Sequence, residues 1–456
     1  MSLIAPTRRH LLRLGGAAAL TPGLVGMARA STVARVLAVS DLHSAYDRTA
    51  RLLAAFEAET RTHPVPHVIA INGDIFEHGN VVSVRSGGVI DWTFLAQLPR
   101  VAPTVVNLGN HDNDLTPNLA DVVARMKGLG LHVVTTIADA RSGLGYAAPV
   151  ATLALGACSL RVVGMATNAV NTYPKASRDR LSIPSASDWA KANLGQSLAG
   201  ADLVMVMSHA GVAADRDILP LLPDGALMVG GHNHLLFQHR QGHSVYVHAG
   251  SWTTAYTAAT FHSDGSVTAE SRPVALDAQP SAELERLVAA TLTANLTEEE
   301  RTVLGDSPHA LSLGDTGRRV AAGPAPAGGG AAGLFGPPTL GTGAPAGPVS
   351  RYTFDSIVRF DGKLMAATVS RSRFDAFSAH ANQDRPMPLA DRNGDFLYAS
   401  GAANGDQVRI ATTDWCAANQ REYFQTSDLD FEEVAAPSIK TIAAAALFDA
   451  GQASRA

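Results

Sequence analysis

The stretch "VSDLHSAY" at residues 39–46 sets an aspartate and a histidine two positions apart, directly behind the apolar run Val36, Leu37, Ala38 and Val39. Such a run is short, continuous and β-branched, the pattern of a strand buried on both faces. Asp41 and His43 at its end have two readings, an ordinary surface turn or two metal ligands delivered to one point. Four further apolar runs end in the same residue types. "INGDIFE" brings Asp74, "LGNHDND" brings Asn110, His111, Asp112 and Asp114, "VMSHAG" brings His209, and "VGGHNH" brings His232 and His234. In open α/β sheets ligands collect beyond the carboxyl ends of the strands, so parallel strands bring these side chains into one crevice.

Asp41, His43, Asp74, Asn110, His209, His232 and His234 make seven nitrogen and oxygen donors. That is too many for one tetrahedral ion and suits two ions sharing a carboxylate. Asp74, a single carboxylate on a short Gly-Asp turn, is the natural bridge. Gly73, Gly109 and Gly231 sit beside ligands, where a missing Cβ lets the backbone turn sharply and approach an ion. Two ions lower the pKa of a shared water and clamp a phosphoryl group for in-line attack. His111 follows Asn110 on the same loop and so points elsewhere. Asp114, three residues on, can hold its second ring nitrogen and keep it protonated. Mixed His, Asp and Asn donors suit Mn, Zn, Fe or Co.

The chain has 456 residues, enough for two or three cores, and a net charge of −5. No basic excess suggests nucleic acid, and no polybasic patch suggests an anionic membrane. The two cysteines, Cys158 and Cys416, argue against a disulfide framework and against a Cys-based zinc site. "TRRHLLRLGGAAAL" pairs Arg8 and Arg9 with a mild apolar stretch, and "ARA" at 28–30 supplies small residues around a cleavage point. Residues 1–30 therefore resemble a twin-arginine signal. This implies the twin-arginine export machinery as a partner and a periplasmic or otherwise exported protein. The stretch is too short and too rich in Gly to span a bilayer, and no other segment reads as a stable membrane span.

Beyond residue 31, runs such as "HVIAI", "PTVVNL", "LRVVG" and "DLVMVM" alternate with the helical spacing of "RTARLLAAFEAETR" and "LADVVARMKGLG". This is the pattern of an α/β layer structure. After about residue 245 the chain reads as antiparallel strands, with Asp264-Gly265 as a hairpin turn. Residues 281–297 have the spacing of a linking helix, and Thr297 and Glu300 have that of a capping box. Residues 321–349 are rich in Gly, Ala and Pro and read as a poorly ordered loop.

These residues resemble the calcineurin-like metallophosphoesterase superfamily, whose signature runs D-x-H, G-D, G-N-H-[DE], H and G-H-x-H. Within it the chain resembles the exported bacterial 5′-nucleotidase family. The resemblance implies an α/β fold, a four-layer α/β/β/α sandwich at 31–278. A linker helix at 279–304 and a smaller α/β substrate domain at 305–456 would follow. It implies one divalent ion on Asp41, His43, Asp74 and His234 and a second on Asp74, Asn110, His209 and His232. His111 and Asp114 would be the catalytic pair, and the substrate a small phosphate ester, a nucleotide above all. "VRIATTDWCAANQREYF" and the segment around Phe360 are similar to the family's two base-stacking stretches, with Phe360 and Trp415 on the aromatics. Three departures stand out. The family's Gly-Gly-Asp-Gly-Tyr reads Asn419 to Tyr423 here. Its phosphate-gripping arginine loop has no counterpart, and the Gly/Pro-rich stretch occupies that place; Arg318, Arg319 or Arg351 would have to substitute.

The expected activity is hydrolysis of nucleoside 5′-phosphates to nucleoside and phosphate. The rivals within the superfamily are a 2′,3′-cyclic nucleotide phosphodiesterase and a thiosulfohydrolase-like sulfur-ester hydrolase. The rival from another class is an exported, metal-stabilised binding module without catalysis.

Overall fold

The computed structural model describes residues 30–403 and 405–448, so the export signal expected at 1–30 lies almost wholly outside the described residues. The described residues from Thr32 onward form one compact unit. Two six-stranded sheets make its larger part. The first runs, edge to edge, Val267–Pro273, Ala255–His262, Thr32–Val39, His67–Asn72, Thr104–Asn107 and His132–Val134. The four strands from Thr32–Val39 outward to His132–Val134 are parallel. The second runs Leu236–Gln241, Ser244–Ala249, Leu227–Gly230, Leu203–His209, Cys158–Ala166 and Val150–Leu155, with four central parallel strands and antiparallel edges.

The continuous apolar runs are explained by what lies on each face. Val36, Ala38, Val68 and Val105 of the first sheet pack on Val162, Met205, Val229 and Val247 of the second, all essentially inaccessible. The alternate residues Leu37, Val39, Ile69 and Ile71 face helices Tyr46–Thr62, Val89–Val101, Leu119–Gly128 and Ala282–Asn295. Helices Ala186–Leu198 and Val212–Ile218 cover the second sheet. This is the expected α/β/β/α sandwich. The five ligand-bearing runs are divided between the sheets, three in the first and two in the second. Convergence therefore depends on both sheets presenting their carboxyl ends at one rim. The Asp264-Gly265 hairpin joins antiparallel strands as read, whereas Ser244–Ala249 pairs parallel with Leu227–Gly230.

A smaller sheet follows, in the order Tyr398–Gly401, Ala332–Phe335, Gln407–Thr413, Leu364–Ser370 and Glu432–Glu433. Helices Leu313–Ala322 and Ile439–Phe448 pack on one face. Phe374, Phe377 and Phe424 pack on the other. Val212 and Leu235 of the sandwich join the first of these clusters. The capping box at Thr297 and Glu300 is present.

The reading of 321–349 as a loose loop is overturned. It holds helix Pro324–Ala327 and the inner strand Ala332–Phe335, whose four residues are all buried. The small residues are there for close packing. A Cβ at Gly333 would lie 1.8 Å from the Ala321 carbonyl, and one at Gly317, in the preceding helix, 2.3 Å from the Tyr398 ring. Both cysteines are free thiols, and no helix among the described residues is long and apolar enough to cross a membrane.

Candidate metal centre and cleft

All seven predicted donors lie at one rim of the sandwich. His43 Nε2 is 3.0 Å from His234 Nε2, and Asp41 Oδ1 is 3.7 Å from the same His234 nitrogen. Asp74 Oδ2 lies 3.8 Å from His43 Nε2 and 3.1 Å from His209 Nε2, so one carboxylate faces both halves of the cluster. His232 Nδ1 is 3.0 Å from Asn110 Oδ1. Donor atoms of Asp41, His43 and His234, and separately of Asp74, His209 and His232, fall within 4.8 Å of one another.

The donor set fits cations. Two imidazole nitrogens 3.0 Å apart match the spacing of neighbouring ligands on an ion that binds each at about 2.0–2.1 Å. His209 Nε2 is buried, and its close polar neighbour Asp74 Oδ2, at 3.1 Å, is a contact without hydrogen-bond alignment, while its Nδ1 is held by the Asn72 carbonyl at 2.6 Å. That pattern leaves Nε2 free for a cation.

Charge is distributed unevenly. Burial pushes Asp41 up to about 7, against the pull of His209. Burial also works against the Asp74 charge, but His209, His111 and His43 hold this carboxyl well below the usual range. Burial lowers His43 to about 4 and His232 to about 3, keeping both imidazoles neutral. Burial also pulls on His111, yet Asp114 and Asp74 raise it to about 9. His111 Nδ1 is 2.8 Å from Asp114 Oδ2, as its spacing predicts. The His111 backbone N–H donates to Asp74 Oδ1 at 2.7 Å.

The glycine reading holds in detail. Gly73 has φ +78°, and a Cβ there would meet Gly109 N and His209 Nδ1 at 2.6 Å. Three supporting roles escaped the sequence reading. Asp112 accepts the N–H of Ile75 at 2.8 Å and of Gly109 at 2.7 Å, tying the Asp74 and Asn110 loops together. Asn72 donates across to the Ser208 and Val229 carbonyls at 2.9 and 3.0 Å. Asn107 donates to Asn72 at 2.9 Å and to the Met165 carbonyl at 2.8 Å. These two buried amides stitch the sheets together beneath the site. The signal was an Asn closing each of two apolar runs.

The centre opens into a cleft of about 1040 Å³ between the sandwich and the C-terminal sheet. His111 and Asn110 of the sandwich and Phe360 and Trp415 of the C-terminal part all line it. The aromatics are 46% and 43% exposed, so neither is a core residue. The three arginines put forward as substitutes lie elsewhere: Arg318 pairs with Asp384 and Asp315, Arg319 bonds the Ala446 carbonyl, and Arg351 faces Glu299. The cations lining the cleft are Lys175, Arg178 and Arg359.

Residues 34–236 match the family model of the calcineurin-like phosphoesterases. This part of the chain is similar to that family, a class of metal-dependent phosphoester hydrolases. No curated protein matches the chain by sequence. Solved structures resemble it over nearly its whole length. A 5′-nucleotidase precursor from Thermus thermophilus is 17% identical, with 92% of this chain and 97% of that one covered and a TM-score of 0.60. The sulfate thiohydrolase SoxB from Thermus thermophilus is 14% identical, with 93% and 95% covered and a TM-score of 0.63. A 5′-nucleotidase from Candida albicans is 10% identical, with 92% and 98% covered and a TM-score of 0.57. At these identities the likeness is one of fold.

Proposed function

We propose that the protein is an exported phosphomonoesterase that uses two divalent metal ions, with nucleoside 5′-phosphates as its substrates. The catalytic domain would be residues 31–278 and the substrate domain 305–456. One observation carries the reading: the donor cluster and the His111–Asp114 pair share a cleft with two half-exposed aromatics. Asp41, His43, Asp74 and His234 would hold one ion, and Asp74, Asn110, His209 and His232 the other. Such ions supply Lewis acidity and positive charge for a transferring phosphoryl group. Asp114 holds His111 Nδ1, leaving Nε2 to donate a proton to the departing oxygen. Phe360 and Trp415 offer ring faces for a flat base. The pair of tuned groups gives no advantage to a site built for stability alone, which argues against a non-catalytic binding module.

Purified protein loaded with Mn²⁺ is expected to release phosphate from AMP and from a chromogenic monoester. No release from a broad monoester panel would refute the reading. A sulfur-ester substrate is the second reading, favoured by the SoxB likeness in fold and by the distance of Arg318, Arg319 and Arg351 from the cleft. Hydrolysis of a thiosulfate–cysteine adduct without monoester activity would select it.

A further inference from the structure

We propose that Glu77 and Arg359 are positioning residues for His43, so that a residue from the C-terminal part of the chain completes the metal centre. This rests on the reading that His43 binds metal. The His43 ring is buried, with Nε2 facing His234 and Asp74. Its Nδ1 lies 3.2 Å from Glu77 Oε2, an ion-pair contact without hydrogen-bond alignment, and no other group among the described residues bonds this nitrogen. A carboxylate beside Nδ1 favours the tautomer protonated there, and the Nε2 lone pair is then directed at the cation.

Glu77 is only 4% exposed, and a buried carboxylate needs compensation. Gly79 N–H donates to Oε1 at 2.7 Å, and the Arg359 guanidinium pairs with the same Oε2 that faces His43. Arg359 is itself 8% exposed. Its guanidinium lies 4.8 Å from the ring centres of both Trp252 and Phe360. Trp252 in turn stacks on His43, with ring centres 4.2 Å apart and 21° between planes. His43 is thus held at its edge by Glu77 and on its face by Trp252, and Arg359 touches both supports. Glu77 follows Asp74 by three residues, while Arg359 lies 282 positions further along the chain. The link exists only in the folded molecule.

The test is Mn²⁺ titration of the full chain by calorimetry, with His43→Asn identifying which of the two affinities belongs to the His43 site. Glu77→Gln and Arg359→Gln are each expected to weaken that affinity about 10- to 100-fold and to leave the other within about threefold. Arg359→Lys, which keeps the charge, is expected to recover part of the loss. The double variant is expected to be no worse than Glu77→Gln alone, because both act through one ring. Unchanged affinities, or both affinities falling together with the metal-free melting temperature, would overturn the proposal and leave a plain structural ion pair. If Arg359→Gln does not fold, Arg359→Lys and Glu77→Gln decide by the same criterion. A protein that binds two Mn²⁺ but releases no phosphate sinks the phosphatase reading and leaves this one standing. A protein that binds none sinks this one.

Discussion

Asp41, His43, Asp74, His232 and His234 all hold positive φ, between 48° and 76°, although none is glycine. Each such residue costs of order 1–3 kcal/mol and persists only where its surroundings over-determine it. Here the backbone is bent to aim side chains inward, and hydrogen bonds such as His232 N–H to Asp41 Oδ1 at 3.0 Å keep it bent. Small changes should therefore have large effects. His111→Ala is expected to lower turnover about 10²- to 10⁴-fold while metal content, measured by elemental analysis, stays at the wild-type level. Asp114→Asn should lose less, since the ring stays in place with a weaker partner. Gly109→Ala is expected to cut metal affinity at least about tenfold, because its Cβ would stand 2.2 Å from Asp74 Oδ1; equilibrium dialysis reads this directly. Strain at five donors was invisible in the sequence, since φ is set by which long-range bonds a loop makes.

At the scale of elements, composition misled where packing decided. A Gly/Ala/Pro-rich stretch ordinarily fails to form a core, but the strand Ala332–Phe335 needs small residues because helix Leu313–Ala322 presses on it. Gly333→Ala is expected to cost about 2–3 kcal/mol through overpacking, seen as a lower urea midpoint with unchanged slope. A second element-level prediction concerns helix Val89–Val101. Its Asp91 is raised to about 7 by burial, despite the Tyr46 hydroxyl donating at 2.6 Å. The folded protein thus keeps this proton from about pH 4, where the unfolded chain loses it, up to about pH 7. Stability from this group is full at low pH and falls across that window. Asp91→Asn should remove the fall, so its advantage in thermal melts over wild type should grow from pH 4 to 7 and then level off. A constant difference at all pH values would contradict this.

For the whole molecule, the cluster draws its side chains from two sheets, so a metal that binds there is expected to stabilise the fold. Chelation is expected to abolish phosphate release and to lower the melting temperature by several degrees, both restored by Mn²⁺; a melt indifferent to chelator would show that the cluster binds no metal. Much of this architecture was legible in one dimension. Buried strands write themselves as continuous apolar runs, and the ligand motifs sit at their ends because that is where parallel strands open. The local pattern therefore determined the α/β class and singled out the seven clustered His, Asp and Asn side chains and the His111–Asp114 pair. Only tertiary structure decided that the donors come from two sheets stitched by Asn72 and Asn107, and that Phe360 and Trp415 face the cleft. It also decided that Arg359 stands behind His43 while Arg318, Arg319 and Arg351 lie elsewhere. Periodicity reports what a residue's own strand or helix needs, whereas sheet pairing and the partner of a buried charge depend on residues hundreds of positions away.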